Sequence, residues 1–254
     1  GRWREDHVLL DEGAVVIYLD YEAATGGDPY WSGVALLVQD GADGTLVIQD
    51  RSSFADSVTI ANYAEWDSAQ QVFGANQILC STNAADIPDF SDADGSRFGR
   101  APGEPYTIET WVEWNTYPAS SGPYLWTWYG TTGPARFVEM YLSHGATVPD
   151  IRIFIRIGDE APINCGAVIA DTPTFVQFSL DSSDNYYVDI DGVEVATGSI
   201  AAFDFSGVPT SFAVASQFSG SNAYSAVGWS TPLRVTKGVM RTRGSVPTDL
   251  FPTS

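Results

Sequence analysis

The stretch Thr107–Trp114, TIETWVEW, commits this chain to a sheet-built fold. Ile108, Thr110 and Val112 alternate with Glu109, Trp111 and Glu113. A period of two in β-branched and aromatic residues is the pattern of a strand with two unlike faces. One face enters an apolar core, while the other carries a tryptophan between two carboxylates. The flanking sequence repeats the pattern and supplies no convincing long helix. In DIRIFIRIG, Ile151, Ile153, Ile155 and Ile157 fall on one face, with Arg152, Phe154 and Arg156 on the other. Asp191-Gly192, between YYVDI and VEVAT, is a type I′ hairpin signal. GVALLV, TLVIQD, Ser57–Ala61, Gln77–Ser81, YLWTWYG, RFVEMYLS, FVQFSL, SFAVASQF and PLRVTKGV read as further strands. Roughly a dozen short strands with frequent turn signals predict an all-β, two-sheet antiparallel sandwich or jelly roll.

Charge narrows the partners. The chain has 12 Lys+Arg against 32 Asp+Glu, a formal charge of −20 that repels a phosphate backbone and argues against nucleic acid. Residues 1–20 contain Arg2, Arg4, Glu5, Asp6, Asp11 and Glu12, so no apolar signal core is read there. No window approaches the ~20 apolar residues of a membrane span, and membrane insertion is not expected. Cys80 and Cys165 are too few for a disulfide framework and are expected as buried thiols.

The 254 residues suit one large β domain with an addition at its start. Residues 1–32 are expected to form an N-terminal extension or assembly arm, and residues 33–254 the sandwich. In the arm, the charged GRWREDHVLLDEG precedes a strand-like Ala14–Glu22, and Gly26, Gly27, Asp28 and Pro29 then break it. Asn83–Pro105 reads as a long polar connection.

Four segments, in order, resemble the concanavalin A-like (laminin-G-like) lectin/glucanase domains of bacteriophage structural proteins. Ala35–Asp50 is similar to that family's opening strand, Asp-Gly turn and second strand, and Tyr106–Trp114 to its central strand. Tyr186–Gly198 resembles its late hairpin, and Leu233–Pro252 its final strand and Pro-containing tail. The resemblance implies a concanavalin A-like jelly roll and a non-enzymatic virion component at the phage particle surface: a tail fibre, tail-associated or capsid-decoration protein. It implies other virion proteins as partners, a homo-oligomer with a trimer favoured, and a host-surface glycan as a further partner. The alternative is a soluble carbohydrate-binding, lectin-like module.

The candidate chemistry is sparse. Glucanases of this architecture place acidic residues on one strand face, and here Glu109 and Glu113 share a face. At ~3.3 Å per residue they lie about 13 Å apart, beyond the roughly 5–9.5 Å of a glycosidase pair. Asp20 and Glu22 are better spaced but lie outside the resembling segments. His7 sits in a charged segment and His144 in a Ser-His-Gly turn, and no H-E-x-x-H or G-x-S-x-G motif is present. No catalytic residue is expected, and no cofactor is required. Clustered turn carboxylates nevertheless suit calcium: Asp40 and Asp43 in QDGADG first, then Asp86, Asp89, Asp92 and Asp94 in DIPDFSDADG. The competing reading is that Asp/Gly turns need no metal.

Two further groups have two readings each. Tyr124, Trp126 and Trp128 share a face of YLWTWYG, either as a sugar-stacking platform or as filling between the sheets, where large aromatics usually go. Trp111 is the alternative stacking residue. Arg234, Lys237, Arg241 and Arg243 make residues 233–254 net positive against Asp249 alone. They read either as assembly contacts with an acidic neighbour or as a strand end satisfied by its own acidic body.

Overall fold

The computed structural model describes residues 2–9, 15–22, 28–44, 47–55, 57–59, 64–80, 90–116, 124–130, 137–144, 151–158, 160–200, 210–214 and 227–252. Their strands are β1 (Arg2–Leu9), β2 (Val15–Glu22), β3 (Val34–Val38), β4 (Val47–Gln49), β5 (Ser57–Thr59), β6 (Ala64–Val72), β7 (Ala75–Cys80), β8 (Phe90–Asp92) and β9 (Tyr106–Thr116). They continue with β10 (Tyr124–Gly130), β11 (Phe137–His144), β12 (Ile151–Ile157), β13 (Ile163–Ala167), β14 (Thr174–Leu180), β15 (Asn185–Ile190), β16 (Val193–Ser199), β17 (Thr210–Val214) and β18 (Val227–Lys237). The only helical element among the described residues is a 3-10 turn, Trp31–Gly33.

An eight-stranded sheet runs β16-β15-β14-β9-β18-β7-β6, with β3 also paired to β18, and a six-stranded sheet runs β13-β12-β11-β10-β17-β8. Every pairing in both is antiparallel, giving the expected jelly-roll sandwich. β1 and β2 form a separate ribbon, as do β4 and β5. The ribbon gives Val15–Glu22, within the strand-like stretch, a partner in the segment read only as charged. Its register sets Arg2 opposite Glu22 and Arg4 opposite Asp20.

β9 is interior, between β14 and β18, and its two-sided pattern decides the core. Ile108 and Val112 join Val176, Phe178, Val188, Leu233 and Val235 against Trp126, Trp128, Val138, Met140, Ile153, Ile155, Ile157 and Phe212 of the facing sheet. Tyr106 and Trp128 stack across the two sheets at 4.4 Å and 4°. Asp191 and Gly192 both have positive φ (49° and 77°), as the type I′ reading requires.

One feature was not read from the sequence, and one differs from that reading. β18 pairs with β9 on one edge, but on the other it changes partner, from β7 at Gly228–Ser230 to β3 at Leu233–Thr236. The register with β9 breaks between Ser230 and Leu233, a bulge that re-aims the strand. The described part of Asn83–Pro105 is not a loose connection. Arg97 pairs with Asp50 at 2.6 Å, donates to the Ala35 carbonyl at 2.7 Å and lies against the Phe54 and Phe98 rings. Arg100, also buried, pairs with Asp184 and donates to the Glu104 carbonyl. Buried charges persist only when paired in this way.

Candidate carbohydrate-binding face

Each sheet has one face in the core and one outside, and the two outer faces are built differently. Across the eight-stranded sheet lies the C-terminal segment 238–251, a strap held strand by strand. Thr107 of β9 donates to the Val239 carbonyl and accepts from the Arg241 amide, each at 3.0 Å. Further along, Arg243 makes a fork to Asp189 of β15 (2.7 and 2.8 Å) and reaches Glu194 of β16 at 2.7 Å. The chain then returns, so that Phe251 packs with Val34, Leu37 and Phe175, and its carbonyl accepts from the Gln39 amide at 2.9 Å.

Beneath the strap is a buried charge network. Arg234 donates to Glu109 at 2.7 Å and to Asp28 at 3.0 Å, with its guanidinium 4.1 Å over the Phe251 ring. Arg241 pairs with the same Asp28 and donates to Thr236 at 2.7 Å. Two carboxylates and two guanidiniums neutralise one another, and Glu109, Arg234 and Arg241 line a cleft of about 200 Å³ with Tyr30 and Val246. Arg234 and Arg241 are 6% and 8% exposed. Lys237 reaches the Ser96 carbonyl at 2.9 Å. Of the two readings of the basic tail, the structure describes satisfaction by its own acidic body. Sequence distance hid Asp28, which lies 206 residues from Arg234.

The aromatic run of β10 also divides. Trp126 and Trp128 are 1% and 0% exposed. Trp126 packs on Phe178 and Phe212, and the Trp128 indole donates to the Phe98 carbonyl at 2.9 Å. They fill the core and offer no platform. Tyr124 leaves their face because the β10–β11 register slips between Tyr124 and Trp126, which puts Leu125 and Trp126 both in the core. Tyr124 instead meets Tyr141 at 5.5 Å, and Tyr141 stacks on its cross-strand partner Phe154 at 5.7 Å and 15°.

The outer face of the six-stranded sheet therefore carries a row of three rings across β10, β11 and β12. In β11 and β12 the residues that alternate with the core set are Glu139, Tyr141 and Ser143, facing Arg156, Phe154 and Arg152 respectively. Glu139 is buried and pairs with Arg156 at 3.5 Å. Tyr141, Phe154, Arg152 and Arg156 are half-buried. Burial, then the Glu139 charge, pushes the Tyr141 phenol up, so it stays a neutral hydroxyl. Flat rings flanked by charged hydrogen-bonding groups can stack on the apolar side of a sugar and hold its hydroxyls. Reading RFVEMYLS and DIRIFIRIG as strands was possible from sequence; pairing Tyr141 with Phe154 required the register.

The remaining candidates are engaged locally. Asp43 accepts from the Ser68 amide at 2.8 Å, and the Asp40 carbonyl accepts from Arg51 at 3.0 Å. The turn lies on Trp66: a Cβ at Gly41 would come within 2.2 Å of its indole. Asp92 accepts from the Arg97 and Phe98 amides and Thr210, and Asp94 from the Ser96 amide. Asp86 and Asp89 lie outside the described residues. Among the described residues no group of three or more His, Cys, Asp or Glu is placed to hold a metal ion. Trp111 is half-buried on the strapped face between Phe73 and Phe175. Cys165 is buried, which pushes its thiol up to about 12.

No family model and no curated protein matches this chain. Among solved structures it is similar to domain 4 of AbnA, an extracellular arabinanase from Geobacillus stearothermophilus, in complex with arabinotriose. That match has a TM-score of 0.52 at 15% identity over 81% of this chain and 95% of that one. It is also similar to the binding domain of Paraclostridial Mosquitocidal Protein 1 (TM-score 0.54, 10% identity, 86% of this chain and 51% of that one). A third likeness is to Trypanosoma rangeli sialidase (TM-score 0.52, 15% identity, 85% of this chain and 31% of that one). The chain thus spans about half of the toxin domain and a third of the sialidase. At these identities the likeness shows a shared β-sandwich fold.

Proposed function

We propose that this chain is a non-enzymatic β-sandwich module that binds carbohydrate through the outer face of its six-stranded sheet. The Tyr141–Phe154 pair carries this reading, because these half-buried rings stack beside the half-buried Arg152 and Arg156, with Tyr124 and Glu139 buried next to them. The solved complex of the arabinanase domain with arabinotriose supports a glycan ligand for this kind of sandwich. The non-enzymatic part is supported by Glu109, whose carboxylate is held by Arg234 and Arg241 instead of facing a substrate. With a formal charge of −20, the chain favours neutral glycans over acidic ones.

The sequence resemblance supports a finer placement, as a surface component of a phage particle that adheres to a host glycan and assembles with copies of itself, a trimer favoured. Calorimetry with arabinotriose and other neutral oligosaccharides tests the binding face. Tyr141→Ala and Phe154→Ala are each expected to lower affinity at least tenfold, about 1.4 kcal/mol, with the fold retained. Unchanged affinity in both variants removes this face from the reading. Locating the chain's density on purified particles tests the placement, and light scattering tests the trimer.

A further inference from the structure

A ring of buried polar atoms without hydrogen-bond partners surrounds the point where β18 changes partners, on the strapped face. The register places its members. Ser230 pairs with Val112 of β9 and Ile78 of β7, so Trp111 and Gln77 lie one residue nearer the break on either side. Gln39 follows Val38, the partner of Leu233 just beyond the break. Val112, Ile78 and Val38 belong to the core, so the pleat aims Trp111, Gln77 and Gln39 outward together. Both amide atoms of Gln77, Oε1 of Gln39, Nε1 of Trp111 and Oε2 of Glu113 are buried and unpartnered. Gln77 is 0% exposed. Buried polar groups are nearly always bonded, and here donors and acceptors gather around one break.

The Trp111 side of this ring is covered by Phe73. Phe73 meets the Trp111 indole in a T-shaped contact, with centroids 5.4 Å apart and planes at 89°. It sits at the tip of the β6–β7 hairpin, where Phe73 and Gly74 have φ of 54° and 78°, and it is 38% exposed. The hairpin behind it is interrupted. Its register breaks between Asp67 and Gln71, leaving only Gln71–Asn76 and Val72–Ala75 paired beyond the break. A bulge of this kind bends the strand behind the tip and re-aims it.

We propose that this ring is a binding site for a neutral, hydroxyl-rich ligand, a single sugar or the end of a glycan, admitted when the Phe73 tip swings away. Trp111 supplies the stacking surface. The Gln77 amide, the Gln39 carbonyl and the Trp111 N–H both give and accept hydrogen bonds, which matches hydroxyls, since each hydroxyl does both. Anionic sugars are disfavoured because Glu113 and Asp171 place carboxyls at this end, while Arg234 and Arg241 are already paired with Asp28 and Glu109. The site lies on the face opposite the ring row and stands independently of it.

The test is a titration of the whole chain, followed by the Trp111 indole N–H resonance, which is assigned by its loss in Trp111→Phe. Arabinose, galactose, glucose and arabinotriose are the probes, with sialic acid as the anionic control. The expected result is a saturable shift with at least one neutral sugar and none with sialic acid. Gln77→Leu weakens it at least tenfold, or Gln39→Leu does so if the first variant does not fold. Phe73→Ala speeds exchange, and Tyr141→Ala leaves the shift unchanged, which separates this site from the other face. An indole signal unmoved by every neutral sugar, in both the wild type and Phe73→Ala, overturns the proposal. So does an indole that contacts only long-lived internal water at the highest sugar concentration.

Discussion

On the outer face of the eight-stranded sheet, Arg234 and Arg241 are neutralised by Asp28 and Glu109 and covered by the strap. On the outer face of the six-stranded sheet, Tyr141 and Phe154 stack side by side and remain half-buried. Both faces arise from the same alternation of core and non-core residues along a pleat. What separates them is how far the cover extends: Tyr124, Thr127, Glu139 and Ala213 on the second face are buried as well, while Tyr141, Phe154, Arg152 and Arg156 stay half-buried. A face closed by its own chain spends its charges on holding that chain, so its arginines are structural. A face with half-exposed rings keeps contact surface for another molecule.

The largest effect should come from breaking the closed face. Arg234→Ala leaves Asp28 and Glu109 buried with only Arg241 between them, and should destabilise the protein by about 3–5 kcal/mol in chemical denaturation. Glycan affinity of the remaining folded protein should not change. A cost below about 1 kcal/mol would mean the network is a solvated surface pair. Phe251→Ala removes the ring that covers Arg234 and packs on Val34 and Phe175, and should cost about 3 kcal/mol.

Tyr141→Ala sharpens the comparison from the other side. It should cost only about 1 kcal/mol of stability, the value of a ring pair plus a little burial, while lowering glycan affinity at least tenfold. A stability loss as large as that of Phe251→Ala, with binding intact, would make both faces structural.

The smallest effect is a pH dependence on the closed face. Burial first, then the Asp171 charge, raises the Glu113 pKa above its ordinary value. The folded chain therefore holds this proton more tightly than the unfolded chain does. Stability is lost as pH rises from the ordinary carboxylate range through the raised value. Glu113→Gln should melt higher than wild type at neutral pH, with the gap closing in acid once wild-type Glu113 is protonated. A gap independent of pH would show that Glu113 is not perturbed.

Much of the fold was legible because the signals are local. TIETWVEW alternates every two residues, and β9 is an interior strand with Ile108 and Val112 in the core. Ile153, Ile155 and Ile157 of β12 behave likewise, and Asp191-Gly192 makes the turn its residue types demand. β6 and β13 were not legible. Their sequences, AEWDSAQQV and INCGA, are interrupted by register breaks that spoil the period.

The candidate site was mostly not legible. Trp126 and Trp128 are large aromatics, equally suited by composition to a core or a platform, and only their place between the sheets decides for the core. A one-residue slip in β10 moves Tyr124 to the other face, because side chains alternate with a period of two.

The sequence by itself determined the strand pattern, the all-β class, the acidic charge and the absence of familiar catalytic motifs, since each is a property of neighbouring residues or of composition. Only the tertiary structure decided which outer face is closed. That choice rests on Asp28 meeting Arg234 and Arg241, and on Tyr141 meeting Phe154, contacts between strands whose spacing along the chain carries no signal. Pairing across a sheet is set by register and chain return, and the cost of a buried charge is relieved by whichever partner the fold brings near, however distant in sequence.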